Sequence, residues 1–383
     1  MTATVGTQAK PPLPPLNVGD PVPWFVLPST TNPEFKFHSL AGMYVVLCFF
    51  GSAGAAEARA RLDALLGNRA LFDDRRMTFF GISNDPEDRD RKRVEETAGV
   101  RYFWDFDKAV SKQFVRSDGA GVTYILDPML RVIAGIRFDD PRGHDQAIAT
   151  LLRRLPAPER HAGVEMHAPV LIVPRIFEPG LCRKLIELYE ANGGEDSGFM
   201  REQDGKTVSA INHNFKRRQD YTIADEGLRT SLMRRIHNRL VPEIAKAFQF
   251  RCTRMERYIV ACYDAGIGGY FKPHRDNTTK GTAHRRFACT INLNAEEYEG
   301  GELRFPEFGP RTYRAPTGGA VVFSCSLMHE ATPVAKGTRY AFLPFLYDDA
   351  AAKIREANNT YLGDGVGAYR SAAEGGRDEQ QGG

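Results

Sequence analysis

The chain has no apolar run long enough to cross a bilayer. The longest, around Tyr44–Ala56, is too short and too rich in glycine and alanine. It also lacks a surplus of one charge. Lysine and arginine number 51 and aspartate and glutamate 48, leaving +3, too near neutral to point to nucleic acid or an anionic membrane as a partner. Cysteine is sparse: Cys48, Cys182, Cys252, Cys262, Cys289 and Cys325 show no CxxC and no close spacing. They are read as reduced core residues of a cytoplasmic protein. Residues 1–17 hold one lysine and several prolines but no apolar core, so no secretory signal is expected there. There is no internal repeat, no helical HExxH, and no Ser/His/Asp or Cys/His hydrolase arrangement. The GIGG at Gly266–Gly269 lacks GxGxxG spacing and runs into Pro273 rather than a helix.

What is present is the composition of an ordinary globular chain: 383 residues, 42% apolar, 26% charged and 10% aromatic. At about 100–200 residues per domain that length predicts two domains, at most three. Residues 1–17 are expected as a flexible lead-in and 363–383 as a disordered tail. Between them, 18–155 alternates strand-like segments (Met43–Phe50, Met77–Ile82, Thr123–Leu126, Val132–Ile136) with helical ones (Ala55–Leu66, Pro86–Ala98, His144–Leu155). Such alternation predicts a sheet with helices on both faces. A polar, proline-containing stretch at 156–169 is the expected linker.

The second region, 170–362, opens with a strand at Val170–Val173. A helix follows, carrying Leu181, Leu185, Ile186 and Tyr189 behind Glu178-Pro179. Another, over Leu228–Phe248, has Leu228, Leu232, Ile236 and Leu240 on one stripe. From Met255 to Tyr347 the pattern becomes short strands between turns, which predicts a helix-buttressed antiparallel sandwich or barrel.

The chemistry concentrates in Tyr263–Asn277, YDAGIGGYFKPHRDN. On an extended segment, residues i and i+2 face the same side, so His274 and Asp276 can offer an imidazole and a carboxylate to one ion. Of the nine histidines only His274 has an aspartate two places on. At about one chance in twenty each, roughly half a match arises by accident, so HxD needs support. His329, just after a predicted strand at Ala320–Ser324, is the candidate third ligand. Two histidines and one carboxylate on one face of an ion leave the other face open, as non-haem iron(II) oxygenases require. Arg339 follows on the next strand. A guanidinium fork in the same cavity suits a carboxylate, and a dicarboxylate that chelates iron at one end and meets Arg339 at the other describes 2-oxoglutarate.

With these residues in place, 170–347 resembles the iron(II)- and 2-oxoglutarate-dependent dioxygenases of the prolyl 4-hydroxylase type. The matching pieces are VLIVPRIFEPGLCRKLI, ACYDAGIGGYFKPHRDN, YEGGELRFP and SLMHEATPVAKGTRYAF. The resemblance implies a double-stranded β-helix (jelly roll) with buttressing helices, iron ligands at His274, Asp276 and His329, and Arg339 as the 2-oxoglutarate anchor. It also places Tyr263 in the co-substrate pocket. Asn292 joins as a pocket candidate by strand alternation, while Gly300-Gly301 is assigned to a turn. Ascorbate is a further candidate cofactor. The runs Lys216–Tyr221 (KRRQDY) and Arg285-Arg286 are expected as solvated basic surface; the alternative sets them at the cavity mouth, holding a peptide or a carboxylate.

The first region has its own likeness. GDPVPWFVLPS, LAGMYVVLCFFGSAG, FFGISNDPED and VTYILDP resemble thioredoxin-fold peroxiredoxins over residues 18–155. Where that family places its nucleophilic cysteine, this chain reads Gly51-Ser52-Ala53-Gly54-Ala55-Ala56. Peroxide reduction needs a thiolate at a helix N-terminus, and Cys48 sits within an apolar strand. The expected architecture is therefore a two-domain α+β chain: a thioredoxin-like α/β sandwich, redox-inactive and available for docking or homodimerisation, followed by a jelly-roll dioxygenase. The expected reaction is hydroxylation of a protein or peptide residue, with succinate and CO2 released. A small-molecule substrate, such as an amino acid or natural-product intermediate, is the alternative, and a non-catalytic binding or sensing protein the third reading.

Overall fold

The computed structural model describes residues 16–115, 121–140, 143–363 and 365–370. Most of the expected lead-in over 1–17 and tail over 363–383 lies outside these residues. The chain divides into two compact units, one of Met1–His167 with Pro306–Pro310, the other of Ala168–Phe305 with Arg311–Gly383. No helix among the described residues is long and apolar enough to cross a membrane.

The first unit is built on a five-stranded sheet in the order Val100–Trp104, Met77–Ser83, Tyr44–Gly51, Val122–Leu126, Val132–Arg137. The first three strands are parallel and the last two antiparallel to their neighbours. Tyr44–Gly51 is the middle strand and needs both faces covered, which explains its unbroken apolar run. Its Tyr44, Val46, Cys48 and Phe50 face Leu62 and Leu65 of the helix Ala56–Leu66 and Ile148 and Leu152 of the helix His144–Arg154. The opposite face carries shorter helical pieces, the 3-10 turn Phe37–Leu40 and the helix Ser111–Phe114. It is covered by aromatics: Phe25 stacks on Phe37 with centroids 4.5 Å apart, and Phe49 on Phe114 at 4.8 Å.

The helix expected over Pro86–Ala98 stops at Asp90. From Arg91 to Ala98 only Val94 and Ala98 are apolar, so no stripe exists to bury, and Lys92 turns the chain with φ +51°. The chain then forms the edge strand Val100–Trp104, which no alternation announces. Asp105 is fully buried and caps the turn at Ser111, accepting its backbone N–H at 2.6 Å.

The turn between Tyr44–Gly51 and the helix Ala56–Leu66 is closed by carboxylates. The buried Asp88 accepts from the Ala53 amide at 2.9 Å and the Ser83 hydroxyl at 2.7 Å. Ser52 donates to Asp85 at 2.6 Å, and Arg93 bridges Asp85 and Asp88 at 3.0 and 3.4 Å. The amides that would receive an anion are thus occupied by the protein's own side chains. Cys48, the one cysteine of this unit, is fully buried, and burial pushes its thiol up to about 12.

The second unit is a jelly roll of antiparallel strands. Its larger sheet runs Arg254–Glu256, Phe345–Tyr347, Phe287–Asn292, Thr338–Phe342, Ile259–Asp264, Gln219–Thr222, Glu195–Asp196. Ala320–Ser324 and Leu171–Val173 add to it beside Phe287–Asn292. The smaller sheet runs Lys216–Arg217, Tyr270–His274, His329–Ala331, Leu303–Arg304, Thr312–Tyr313. Strand alternation sorts the larger sheet into two environments. Val260, Cys262, Cys289, Ile291, Val322 and Phe342 meet Cys182 and Leu185 of the helix Pro179–Asn192 and Leu232 and Ile236 of the helix Glu226–Arg239. Ala261 and Tyr263 point the other way, packing with Phe271 and Ala331 of the smaller sheet. The single helix expected over Leu228–Phe248 is two, Glu226–Arg239 and Val241–Phe248. Pro242 has no N–H to continue the first helix and stands in the first turn of the second.

The packing around Cys48 generates a prediction. In the folded protein at pH 7 it should react with neither a disulfide reagent nor peroxide, and should react fully once denatured. Thiol titration with and without denaturant measures this; rapid native-state reaction of a first-unit thiol would contradict the description.

Candidate metal centre

The smaller sheet sets His274 directly opposite His329, as cross-strand partners. The register slips between Phe271 and His274, a bulge that turns the strand end toward its neighbour. Two loops leave this point and are laced together. The Asp276 amide donates to the Cys325 carbonyl at 3.0 Å, Asn277 Nδ2 to Ser326 Oγ at 2.8 Å, and Arg275 to the Ser326 carbonyl. This lacing carries Asp276 to the two imidazoles. Its Oδ1 lies 3.6 Å from His274 Nε2 and its Oδ2 3.3 Å from His329 Nε2, and one ligand atom from each residue falls within 4.8 Å of the others.

The hydrogen bonds fix the protons. His274 Nδ1 donates to the Lys272 carbonyl at 2.8 Å and His329 Nδ1 to the Leu327 carbonyl at 3.1 Å. A carbonyl only accepts, so in the neutral rings Nδ1 carries the proton and Nε2 a bare lone pair. Burial, then the neighbouring His274, lowers His329 to about 4, keeping it neutral at physiological pH. Three electron-pair donors thus converge with no proton between them, an arrangement that repels itself unless a cation sits among them. Phe271, stacked on His274 at 3.5 Å, and Phe323, edge-on to His329 at 4.5 Å, fix the ring planes. The donor set fits an iron(II) ion.

Arg339 lies on Thr338–Phe342 opposite Tyr263, with its guanidinium 4.8 Å above the Tyr263 ring. It is 2% exposed, and its Nε and Nη1 have no hydrogen-bond partner. A buried guanidinium left unsatisfied is costly, so it marks a place for an anion. Tyr298, in the YEGGEL segment and without any role in the sequence reading, also has an unpartnered buried hydroxyl. A tyrosine beside two glycines that bring backbone close to Arg339 was the available signal. Gly301 (φ +69°) has no room for a side chain: a Cβ there would stand 2.9 Å from Val334 Cγ2 and 3.1 Å from Arg339 Cδ. The Gly-Gly pair therefore makes the turn and also clears the arginine's stem. Asn292 faces the same interior, but its amide nitrogen is spent on the Ala315 carbonyl at 2.7 Å. The atom left over is its oxygen, an acceptor, which does not suit a carboxylate.

The basic run departs from a solvated surface. Lys216 and Arg218 are 4% and 5% exposed, and only Arg217 faces outward. Lys216 Nζ donates to Ser197 Oγ at 2.7 Å and to the Gly198 carbonyl at 2.6 Å, and lies 4.8 Å from the centre of the Phe271 ring that backs His274. Burial and the nearby Arg218 pull its pKa well below the usual lysine value. Arg218 grips Asp220 with two bonds, at 2.7 and 2.6 Å, and reaches the Tyr263 hydroxyl at 3.4 Å.

Comparison with known proteins agrees with this geometry. Residues 258–347 match the model of the 2OG-Fe(II) oxygenase superfamily, and residues 18–133 that of the AhpC/TSA family. The second unit thus contains a stretch that matches the oxygenase model, and the first a stretch that matches the AhpC/TSA model. The chain is similar to PKHD-type hydroxylases. One from Synechococcus sp. is 32% identical over 89 residues, 22% of this chain and 39% of that protein. One from Pseudomonas fluorescens is 29% identical over 184 residues, 45% of this chain and 75% of that protein. The chain spans about two fifths of the length of the Synechococcus relative. Among solved structures it is similar to a prolyl hydroxylase from Trichoplax adhaerens in complex with a hypoxia inducible factor peptide fragment. That match has a TM-score of 0.37 and 17% identity, covering 55% of this chain and 93% of that one.

The packing at Gly301 generates a prediction. Gly301→Ala should displace Arg339 while leaving the three metal donors in place, so iron(II) affinity should persist while 2-oxoglutarate binds about tenfold more weakly or worse. Anaerobic titrations of each against the variant measure the split.

Proposed function

We propose that the chain is an iron(II)- and 2-oxoglutarate-dependent dioxygenase that hydroxylates an unactivated C–H on a protein or peptide residue. In the overall reaction, substrate, 2-oxoglutarate and O2 become hydroxylated substrate, succinate and CO2. The observation that carries this reading is the pairing of two unmet demands on one interior: three bare donors wanting a cation, and a buried guanidinium wanting an anion. A metal-chelating dicarboxylate answers both. His274, Asp276 and His329 would hold the iron through Nε2, a carboxylate oxygen and Nε2. Iron(II) supplies the activation of O2 that the protein's side chains cannot.

The remaining work belongs to the residues. The carbonyls of Lys272 and Leu327 hold the imidazole tautomers, so no proton competes for the donor atoms. Arg339 would take the distal carboxylate of 2-oxoglutarate in a two-pronged grip, its plane set by Tyr263 below and its stem by Gly301 beside. The Tyr298 hydroxyl is a further donor toward the same group. Phe271, Ala331 and Val334 line the interior and keep water from it. Ascorbate, as a reductant keeping the iron ferrous, belongs to the same reading, as do a cytoplasmic location and a homodimer through the first unit.

The test needs no substrate. Under anaerobic conditions, iron(II) followed by 2-oxoglutarate should give a visible metal-to-ligand charge-transfer band. His274→Ala should abolish it, and Arg339→Ala should raise the 2-oxoglutarate needed by at least about tenfold. No band from folded wild-type protein overturns the proposal.

A further inference from the structure

Arg257 stands just ahead of the strand Ile259–Asp264 in a backbone conformation that L-residues seldom adopt, φ +70°. A non-glycine residue is held there only at a cost, and such positions concentrate at functional sites. Its guanidinium lies over the Phe345 ring at 5.0 Å, and Arg285 lies over the same ring at 4.0 Å. Phe345 is on the inward side of its strand, since its neighbour Leu346 belongs to the helix-backed core. Arg285 in turn reaches the backbone carbonyl of Asp276 at 3.4 Å, which puts this cationic pair next to the metal centre.

The charges there do not balance. Apart from Asp276, four guanidiniums (Arg218, Arg257, Arg285 and Arg355) share two carboxylates, Asp220 and Glu256. Glu256 is held by Arg285 at 2.6 Å, Arg355 at 2.9 Å and His284 at 2.8 Å. Asp220 is held by both prongs of Arg218 and by the Ser197 hydroxyl. Arg257 is left with a 3.6 Å approach to that same, already occupied Asp220. Its side chain is 27% exposed, so a prong remains reachable from solvent.

We propose that Arg257, supported by Phe345, is the substrate-anchoring residue and that it takes a carboxylate carried by the substrate. The assignment rests on the dioxygenase reading and adds to it the chemical class of the substrate. A guanidinium with one face on an aromatic ring and its fork free matches a carboxylate in plane, which an ammonium would match less well. In that reading Arg339 is the separate anchor for 2-oxoglutarate, so the two guanidiniums answer two different carboxylates.

The test uses the anaerobic iron(II) complex with saturating 2-oxoglutarate, which blocks Arg339, and acetate as the probe. Paramagnetic iron should broaden the acetate methyl proton line, and acetamide, the neutral isostere, should be unaffected. In Arg257→Gln the charge-transfer band should be unchanged and acetate binding weakened about tenfold or more, with Arg257→Lys between the two. Two competitors then separate the sources of the carboxylate. Displacement of acetate by N-acetylproline supports a free acid or chain terminus, and displacement by N-acetyl-aspartyl-proline amide supports an acidic side chain in a peptide. A normal band with unchanged acetate broadening in Arg257→Gln, equal broadening of acetamide, or displacement by neither competitor overturns this assignment alone. An absent band in the wild type overturns the dioxygenase reading beneath it.

Discussion

The antiparallel pairing of His274 with His329 sets the position of everything else in the second unit's interior. Cross-strand partners have their side chains about 5 Å apart whatever their identity, so the sheet delivers two imidazoles to one point before any metal is considered. The slip in register beside His274 and the lacing of the following loop onto Cys325 and Ser326 then bring the Asp276 carboxylate to them. The carbonyls of Lys272 and Leu327 remove the protons that would otherwise relax the cluster. What remains is repulsion among three lone pairs, held in place by backbone hydrogen bonds and aromatic walls and relieved by a cation.

A second unbalanced charge sits on the neighbouring sheet. The strand Ile259–Asp264 separates the two kinds of environment by simple alternation. Its Val260 and Cys262 are structural, buried against helices, while Ala261 and Tyr263 face the cavity. The strand Thr338–Phe342 does the same, Phe342 packing into the helix-backed core and Arg339 facing Tyr263. The helices Pro179–Asn192 and Glu226–Arg239 therefore back the sheet from the side away from these inward residues. Along that inner face the cations divide into Arg339 over Tyr263 and Arg257 over Phe345, with the Arg218–Asp220 pair between Tyr263 and Arg257.

Residues whose placement depends on local pattern were legible in the sequence. That His274 and Asp276 share a side was readable from an extended segment, but HxD by itself was weak and needed His329 and Arg339 beside it; the structure brings the three donors together. The apolar run Tyr44–Gly51 marks a central strand for the same kind of reason. Residues whose roles depend on tertiary placement were not legible. Val100–Trp104 becomes a strand only because a sheet edge waits for it, and the helix at Pro86 ends early because nothing apolar follows to bury. Lys216 and Arg218 look like surface charge, since a one-dimensional reading does not show that Ser197, Asp220 and Phe271 close over them. Tyr298 and Arg257 have no motif at all: the first is marked by a hydroxyl without a partner, the second by a strained backbone and a surplus of positive charge.

The turn before the helix Ala56–Leu66 bears on what a thiol placed there would meet. A thiol is activated at such a helix start because amide N–H groups and the absence of nearby anions favour its charged form. Here Asp88 has taken the Ala53 amide, and Asp85 has taken the Ser52 hydroxyl. At Gly54 even a Cβ would stand 2.6 Å from Arg93 Nη1. A cysteine placed in this turn would therefore find the turn's donors already taken by carboxylates that oppose its ionisation, with Arg93, itself paired to both of them, beside it. The anion site that a helix start offers is here filled from within, by the side chains of Asp88 and Asp85.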